Sequence, residues 1–221
     1  MTKHLHNEIE RLKKKILAIS ATVEENVQKA VKSSIKRDDK LAQEVIESDY
    51  DIDVAEVELE EDCLKILALH QPVAIDLRFI IAVLKINNDL ERIGDEAVNI
   101  AERSVFLSSR ATMTFPFDIN KMSEKVENML KRSLDSLVLM DSGMARQVCA
   151  MDDEVDALYQ EVHEITKNKL GVNPEMSENF IHYLGIARHL ERIADHATNI
   201  SEDVIYMIEG IITRHKGKGF S

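Results

Sequence analysis

LKINNDLERIGDEAVNIAE at residues 84–102 and LGIARHLERIADHATNISE at residues 184–202 agree at 11 of 19 positions without a gap. Unrelated segments would agree at about one position by average amino-acid usage, so the chain carries an internal repeat. Both copies set Leu, Ile and Ala at steps of three and four, the period of a helix with one buried face. The copies also share Glu91/Glu191, Arg92/Arg192, Asp95/Asp195, Asn99/Asn199 and Glu102/Glu202. Packing alone gives no reason to keep five polar residues in register.

Working outward, apolar residues at Leu5, Ile9, Leu12, Ile16, Ile19, Val23, Val27 and Val31 predict a first helix to about Lys36, stopped by Arg37-Asp38-Asp39, where an Asp can cap the next helix. A second stripe from Leu41 to Ile66 ends near His70-Gln71, because Pro72 disfavours helical backbone in the residue before it. Pro72 suits the first turn of a third helix, which continues to about Phe106. Residues 107–117 break the periodicity and read as a linker. Asp118 then caps a fourth helix that stops near Ser142-Gly143, and a fifth runs to Leu170 with Gly171 just past its end. A sixth opens around Pro174 and runs to about Arg214, followed by a basic tail. The expected fold is all-α, two similar three-helix bundles from a tandem repeat, residues 1–110 and 111–221.

Composition agrees. Seven Gly and three Pro in 221 residues cannot supply the turns of a β-sandwich or barrel, and 44% hydrophobic residues are enough to build a core. A net charge of −12 is the wrong sign for a nucleic-acid partner, and there is no glycine-rich phosphate loop. Divalent or trivalent cations suit it better. The longest apolar run, Phe79 to Leu84, is far short of the roughly 20 residues of a membrane span. The N-terminus has no apolar signal region, and Cys63 and Cys149 form neither a metal motif nor a disulfide framework, so the cytosol is the expected compartment.

Glu91 and Asp95, four apart, lie one above the other on a helix, and two like charges there repel by a few tenths of a kcal/mol on an isolated helix. Glu191 and Asp195 repeat the arrangement. The second helical run of each half does the same with Asp49/Asp53 and Asp152/Asp156, at an offset of 103. Beyond these pairs the face continues into Glu56 and Glu60 in the first half and Tyr159 and His163 in the second. A single pair of this kind reads as a solvated acidic face, but four at matched places in two repeats point to cation binding, since hard cations take several carboxylate oxygens. The identity of the metal stays open. His189 and His196 stand where the first copy has Asp89 and Glu96, so imidazole could join the second site. Arg92 and Arg192 are expected to pair with a carboxylate of a neighbouring helix. The Glu-x-x-His element of ferritin-type di-iron sites occurs nowhere in the chain, and no Ser or Cys nucleophile has an adjacent base.

Gln-Pro-Val-Ala-Ile-Asp-Leu-Arg at 71–78, Leu-Glu-Arg-Ile-Gly-Asp at 90–95, Leu-Glu-Arg-Ile-Ala-Asp at 190–195 and the run from Val204 to Gly210 resemble the PhoU family of bacterial phosphate-transport regulators. The resemblance spans essentially the whole chain. It implies a cytosolic homodimer and a non-enzymatic negative regulator linking the phosphate ABC transporter, through its ATPase subunit, to the histidine kinase that senses phosphate starvation. It also implies multinuclear metal clusters, with iron and zinc as candidates, on Asp49, Asp53, Glu91, Asp95, Asp152, Asp156, Glu191 and Asp195. The second half lacks the Gln-Pro element and has Ala194 in place of Gly94, so its site is expected to bind metal less well or differently. The competing reading is a carboxylate-rich metal-storage protein or metal-dependent helical enzyme.

Overall fold

A computed structural model of the protein describes residues 3–110, 114–172 and 176–211. Seven helices and no strand occur among them: α1 Lys3–Lys36, α2 Asp39–His70, α3 Ala74–Ser108, α4 Ile119–Leu139, α5 Ser142–Cys149, α6 Asp152–Val172 and α7 Ser177–Glu209. The 34 residues of α1 span about 50 Å at 1.5 Å per residue. Helices α1, α2 and α3 pack on one another as the first bundle, and α4, α5, α6 and α7 form the second.

The connection between the first and second helical runs is built the same way in each half. Arg37 and Met140, 103 positions apart, end their helices in left-handed backbone with φ of 55° and 53°. Each is followed by an Asp that caps the next helix: Asp38 accepts from the Leu41 N–H at 3.2 Å and Asp141 from the Met144 N–H at 3.0 Å. Asp118 caps α4 from the Lys121 N–H, as its position after the linker predicts. Arg37 has a second task. Its guanidinium donates to the carbonyls of Leu107, Ser108 and Arg110, closing the C-terminal end of α3 whose carbonyls lack helical partners.

Four boundaries differ from expectation. The fifth helical run is broken into α5 and α6 at Ala150-Met151, where its counterpart in the first half is the continuous α2. Asp152, Asp153 and Glu154 then fill the first turn of α6, and three acids are stable at a helix N-terminus, where the backbone N–H groups and the dipole favour negative charge. Gly171 lies inside α6 rather than beyond its end. The last helix stops at Glu209, not near Arg214, because Gly210 takes φ +70° and donates to the Tyr206 carbonyl. Pro72 stands two residues before Ala74, outside the first turn of α3 rather than within it. Pro174, part of the linker at 111–113 and the basic tail lie outside the described residues.

The bundles share one core. Helix α3 packs against α1 and α2 in its own bundle and most extensively on α7 of the other, with a further contact between α1 and α4. As the α3 residues rise through Lys85, Glu96 and Arg103, their α7 partners fall through Asp203, Arg192 and His189, so the two helices run antiparallel. The repeat is thereby folded about a local two-fold axis near Gly94 and Ala194. Leu90, Ile93 and Ile100 and their copies Leu190, Ile193 and Ile200 are fully buried round it.

Candidate metal centres

In the first half α2 carries Asp49 and Asp53 and α3 carries Glu91 and Asp95, and the helix pair brings the four carboxylates within electrostatic reach of one another. Burial raises the Asp49 carboxyl above its ordinary range, and the charges of Asp53 and Asp95 add to the rise. Glu91 is raised by burial and then by Asp95, Asp53 and Glu56, with Arg92 opposing. Asp95 is open to solvent on one side, yet the packing round it is the larger cause of its own rise, followed by Asp53 and Glu96 and countered by Arg92 and Arg192. Glu56 joins this face, raised by burial and by Glu60 and Asp53. Gly94 lies against this site, and a Cβ there would be accommodated, standing at ordinary contact distances of 3.4 Å from the Ile52 Cδ1 and 3.9 Å from Asp49 Oδ1.

In the second half the corresponding residues are Asp152 and Asp156 on α6 and Glu191 and Asp195 on α7. One oxygen each from Asp156, Glu191 and Asp195 lie within 4.8 Å of one another. Opposed ligands of a single Mg²⁺ or Ca²⁺ stand about 4 to 5 Å apart, since each sits about 2.0 to 2.6 Å from the ion. Asp152 stands at the start of α6 and accepts from the Thr198 hydroxyl at 3.1 Å, which fixes it beside the other three. Burial pushes Glu191 up to about 7, with Asp195, Asp156 and Asp152 adding to the rise and Arg188 opposing. Burial and then Asp152 and Asp156 raise Asp195. Burial likewise raises Asp152, against the Thr198 hydrogen bond. The donor set in both halves is all oxygen and its charges repel, the chemistry that a hard cation relieves. The more tightly converged cluster belongs to the second half, and the Gly94 to Ala194 difference leaves Ala194 simply buried in the core.

The raised carboxyls make a pH prediction for metal-free protein. Between its ordinary range near 4.5 and about 7, folded Glu191 holds a proton that the unfolded chain has released. This contribution to stability is complete at the acid end and is lost as pH rises to about 7. In the presence of chelator, wild-type protein is expected to melt higher at pH 5.5 than at 7.5, and Glu191→Gln to flatten that window and gain at pH 7.5. Thermal melts at the two pH values check this; parallel shifts in wild type and variant would refute it.

Neither histidine joins the second centre. His189 Nδ1 lies 2.5 Å from Glu96 Oε2 and His196 Nδ1 2.8 Å from Asp89 Oδ1, both across the contact between α3 and α7. Arg192 pairs with Glu96 on the neighbouring helix at 2.8 Å, as expected, but Arg92 turns to Asn88 on its own helix. Of the outer face, Tyr159 packs against the core and the His163 side chain is exposed beside Glu164. Burial pushes the Cys63 thiol up to about 12 and the Cys149 thiol to about 11, so both are neutral small hydrophobes. Thr198 had no sequence signal beyond replacing Val98 in the repeat.

Two repeats of three helical runs packed about a local two-fold axis, each with carboxylate pairs facing one another between its second and third runs, define a class of tandem-repeat helical proteins built round acidic centres. The PhoU domain matches residues 16–104 and 119–204, and the chain belongs to the PhoU family. A "Phosphate-specific transport system accessory protein PhoU homolog" from Aquifex aeolicus is 40% identical over 212 residues, 96% of each chain. The homolog of the same name from Pseudomonas aeruginosa is 34% identical over 218 residues, 98% of this chain and 90% of its own. Among solved structures, PhoU from Pseudomonas aeruginosa superposes with a TM-score of 0.90 at 35% identity, covering 93% of this chain and 99% of that one. The phosphate transport system regulatory protein PhoU from Streptococcus pneumoniae gives 0.83 at 27% identity, covering 95% and 99%.

Proposed function

We propose that this chain is a regulatory accessory protein of phosphate transport that acts by binding rather than by turnover. The observation that carries this reading is the similarity along almost the whole chain to relatives named for that role, 96% of each chain in the Aquifex aeolicus case. Both PhoU domain matches also include candidate centres, at Asp49, Asp53, Glu91 and Asp95 and at Asp152, Asp156, Glu191 and Asp195. In this reading it is a cytosolic homodimer and a negative regulator, joining the ATPase subunit of the phosphate ABC transporter to the phosphate-sensing histidine kinase. No helix among the described residues is long and apolar enough to cross a membrane, which agrees with contact at a transporter's cytosolic face.

The carboxylates Asp49, Asp53, Glu91 and Asp95 would hold divalent or trivalent cations in the first half, and Asp152, Asp156, Glu191 and Asp195 in the second, iron and zinc being candidates. A bound cation supplies positive charge that cancels the repulsion between the paired acids. The residues then tie α2 to α3 and α6 to α7, stiffening the acidic face that meets a partner. Deleting the gene should leave phosphate uptake and the starvation response switched on in phosphate-rich medium, and the protein should co-purify with the transporter ATPase. Normal repression in the deletion strain would overturn the regulatory reading. Metal-dependent turnover by the pure protein would favour a metal-dependent enzyme instead.

A further inference from the structure

Around the local two-fold axis the repeats are most alike where they face the cores of their own bundles, and they differ in a patterned way where they face each other. On α3 the residues at this contact are Lys85, Asp89, Glu96 and Arg103, and on α7 their repeat counterparts are Gly185, His189, His196 and Asp203. Steps of four, seven and seven place each set along one line of its helix. Every change of type in one helix is answered in the other. Asp89 meets His196 at 2.8 Å and Glu96 meets His189 at 2.5 Å, two contacts related by the repeat. Lys85 reaches Asp203 at 3.2 Å. Arg103, the counterpart of Asp203, lies over Gly185, the counterpart of Lys85, and its Nε donates to His189 Nε2 at 3.0 Å. A Cβ on Gly185 would stand 2.4 Å from the Arg103 Cζ, so the guanidinium occupies space that only glycine leaves.

We propose that these four positions form a pairing code: the α3 face is an interaction surface fitted to the α7 face of the opposite repeat and closed to its own kind. Antiparallel pairing of two α3 faces would set Asp89 against Glu96 and Lys85 against Arg103, like charge on like charge. Pairing two α7 faces would set His189 against His196 and leave Arg192 without the Glu96 carboxylate that it meets at 2.8 Å. Asp89, Glu96, His189 and Asp203 are all buried, and a buried charge deprived of its partner is strongly destabilising, so the mismatched pairings are selected against. A repeat that would pair with any copy of itself is thereby directed to join the unlike repeat, which gives the single core that spans the chain.

The test is an exchange in the full chain, measured at pH 7.5 in chelator so that cation binding at the neighbouring carboxylates does not contribute. Asp89→His with Glu96→His puts four imidazoles at the contact, and His189→Asp with His196→Glu puts four acids there. Each one-sided variant is expected to lose about 10 °C of melting temperature. Carrying all four substitutions together restores both acid–imidazole contacts with their direction reversed, and also gives Arg92 the carboxylate that Arg192 loses. That variant is expected to recover more than half of the loss and to melt in one cooperative transition. Should a one-sided variant fail to fold, the four-fold variant compared with wild type still decides the matter. An exchanged protein as unstable as the two one-sided losses added together, or one-sided variants within about 2 °C of wild type, would overturn the code.

Discussion

Saturating the wild-type protein with zinc, one of the candidate cations, is expected to raise its melting temperature by about 10 °C or more. The four-fold variant Glu91→Gln/Asp95→Asn/Glu191→Gln/Asp195→Asn is expected to lose that rise. A cation that binds the folded carboxylates and not the unfolded chain contributes about 2.7 kcal/mol per site at a hundred times its dissociation constant. For a protein of this size each kcal/mol moves the transition by roughly 2 to 4 °C. In chelator the variant should melt at or above the wild-type temperature, because amides replace acids that repel at matched steps of α3 and α7. Varying one half at a time ranks the centres, and the convergence of Asp156, Glu191 and Asp195 within 4.8 Å predicts the larger share for the second. Calorimetric melts with metal analysis of the same samples check this. Unchanged metal content and an unchanged rise in the four-fold variant would remove these residues as ligands.

Leu90→Ala and Leu190→Ala are each expected to cost about 3 kcal/mol, because both side chains are fully buried at the level of the local two-fold axis and truncation leaves a cavity as well as lost burial. The corresponding drop is about 6 to 12 °C. Leu69→Ala, at a side chain 77% exposed, should change stability by less than about 0.5 kcal/mol. The pair also tests whether residues 1–110 and 111–221 unfold as separate domains. One hydrophobic cluster includes residues of both halves, so both substitutions are expected to lower the same single transition. Two transitions, each moved by only one of the variants, would show that the halves unfold independently.

The helical class, the duplication and the carboxylate pairs are legible from the order of residues alone. Each of these depends on spacing along one helix: apolar steps of three and four define a buried face, Asp38 and Asp118 announce the N-termini they cap, and Glu91 and Asp95 share a face whatever packs beside them. Local chemistry also sets the stop at Gln71 before Pro72. The break at Ala150-Met151 was less legible, because the apolar period continues across it and only the three acids after it mark a new helix start. The use of the positions at which the repeats differ follows from long-range packing. His189 and His196 sit two and one residues from candidate ligands and read along the helix as additions to that site. The antiparallel packing of α3 on α7 instead turns them to Glu96 and Asp89, about a hundred residues away in the chain. Period and propensity describe one helix at a time. The choice of partner depends on which face meets which, and that follows from packing two unlike repeats about a shared axis.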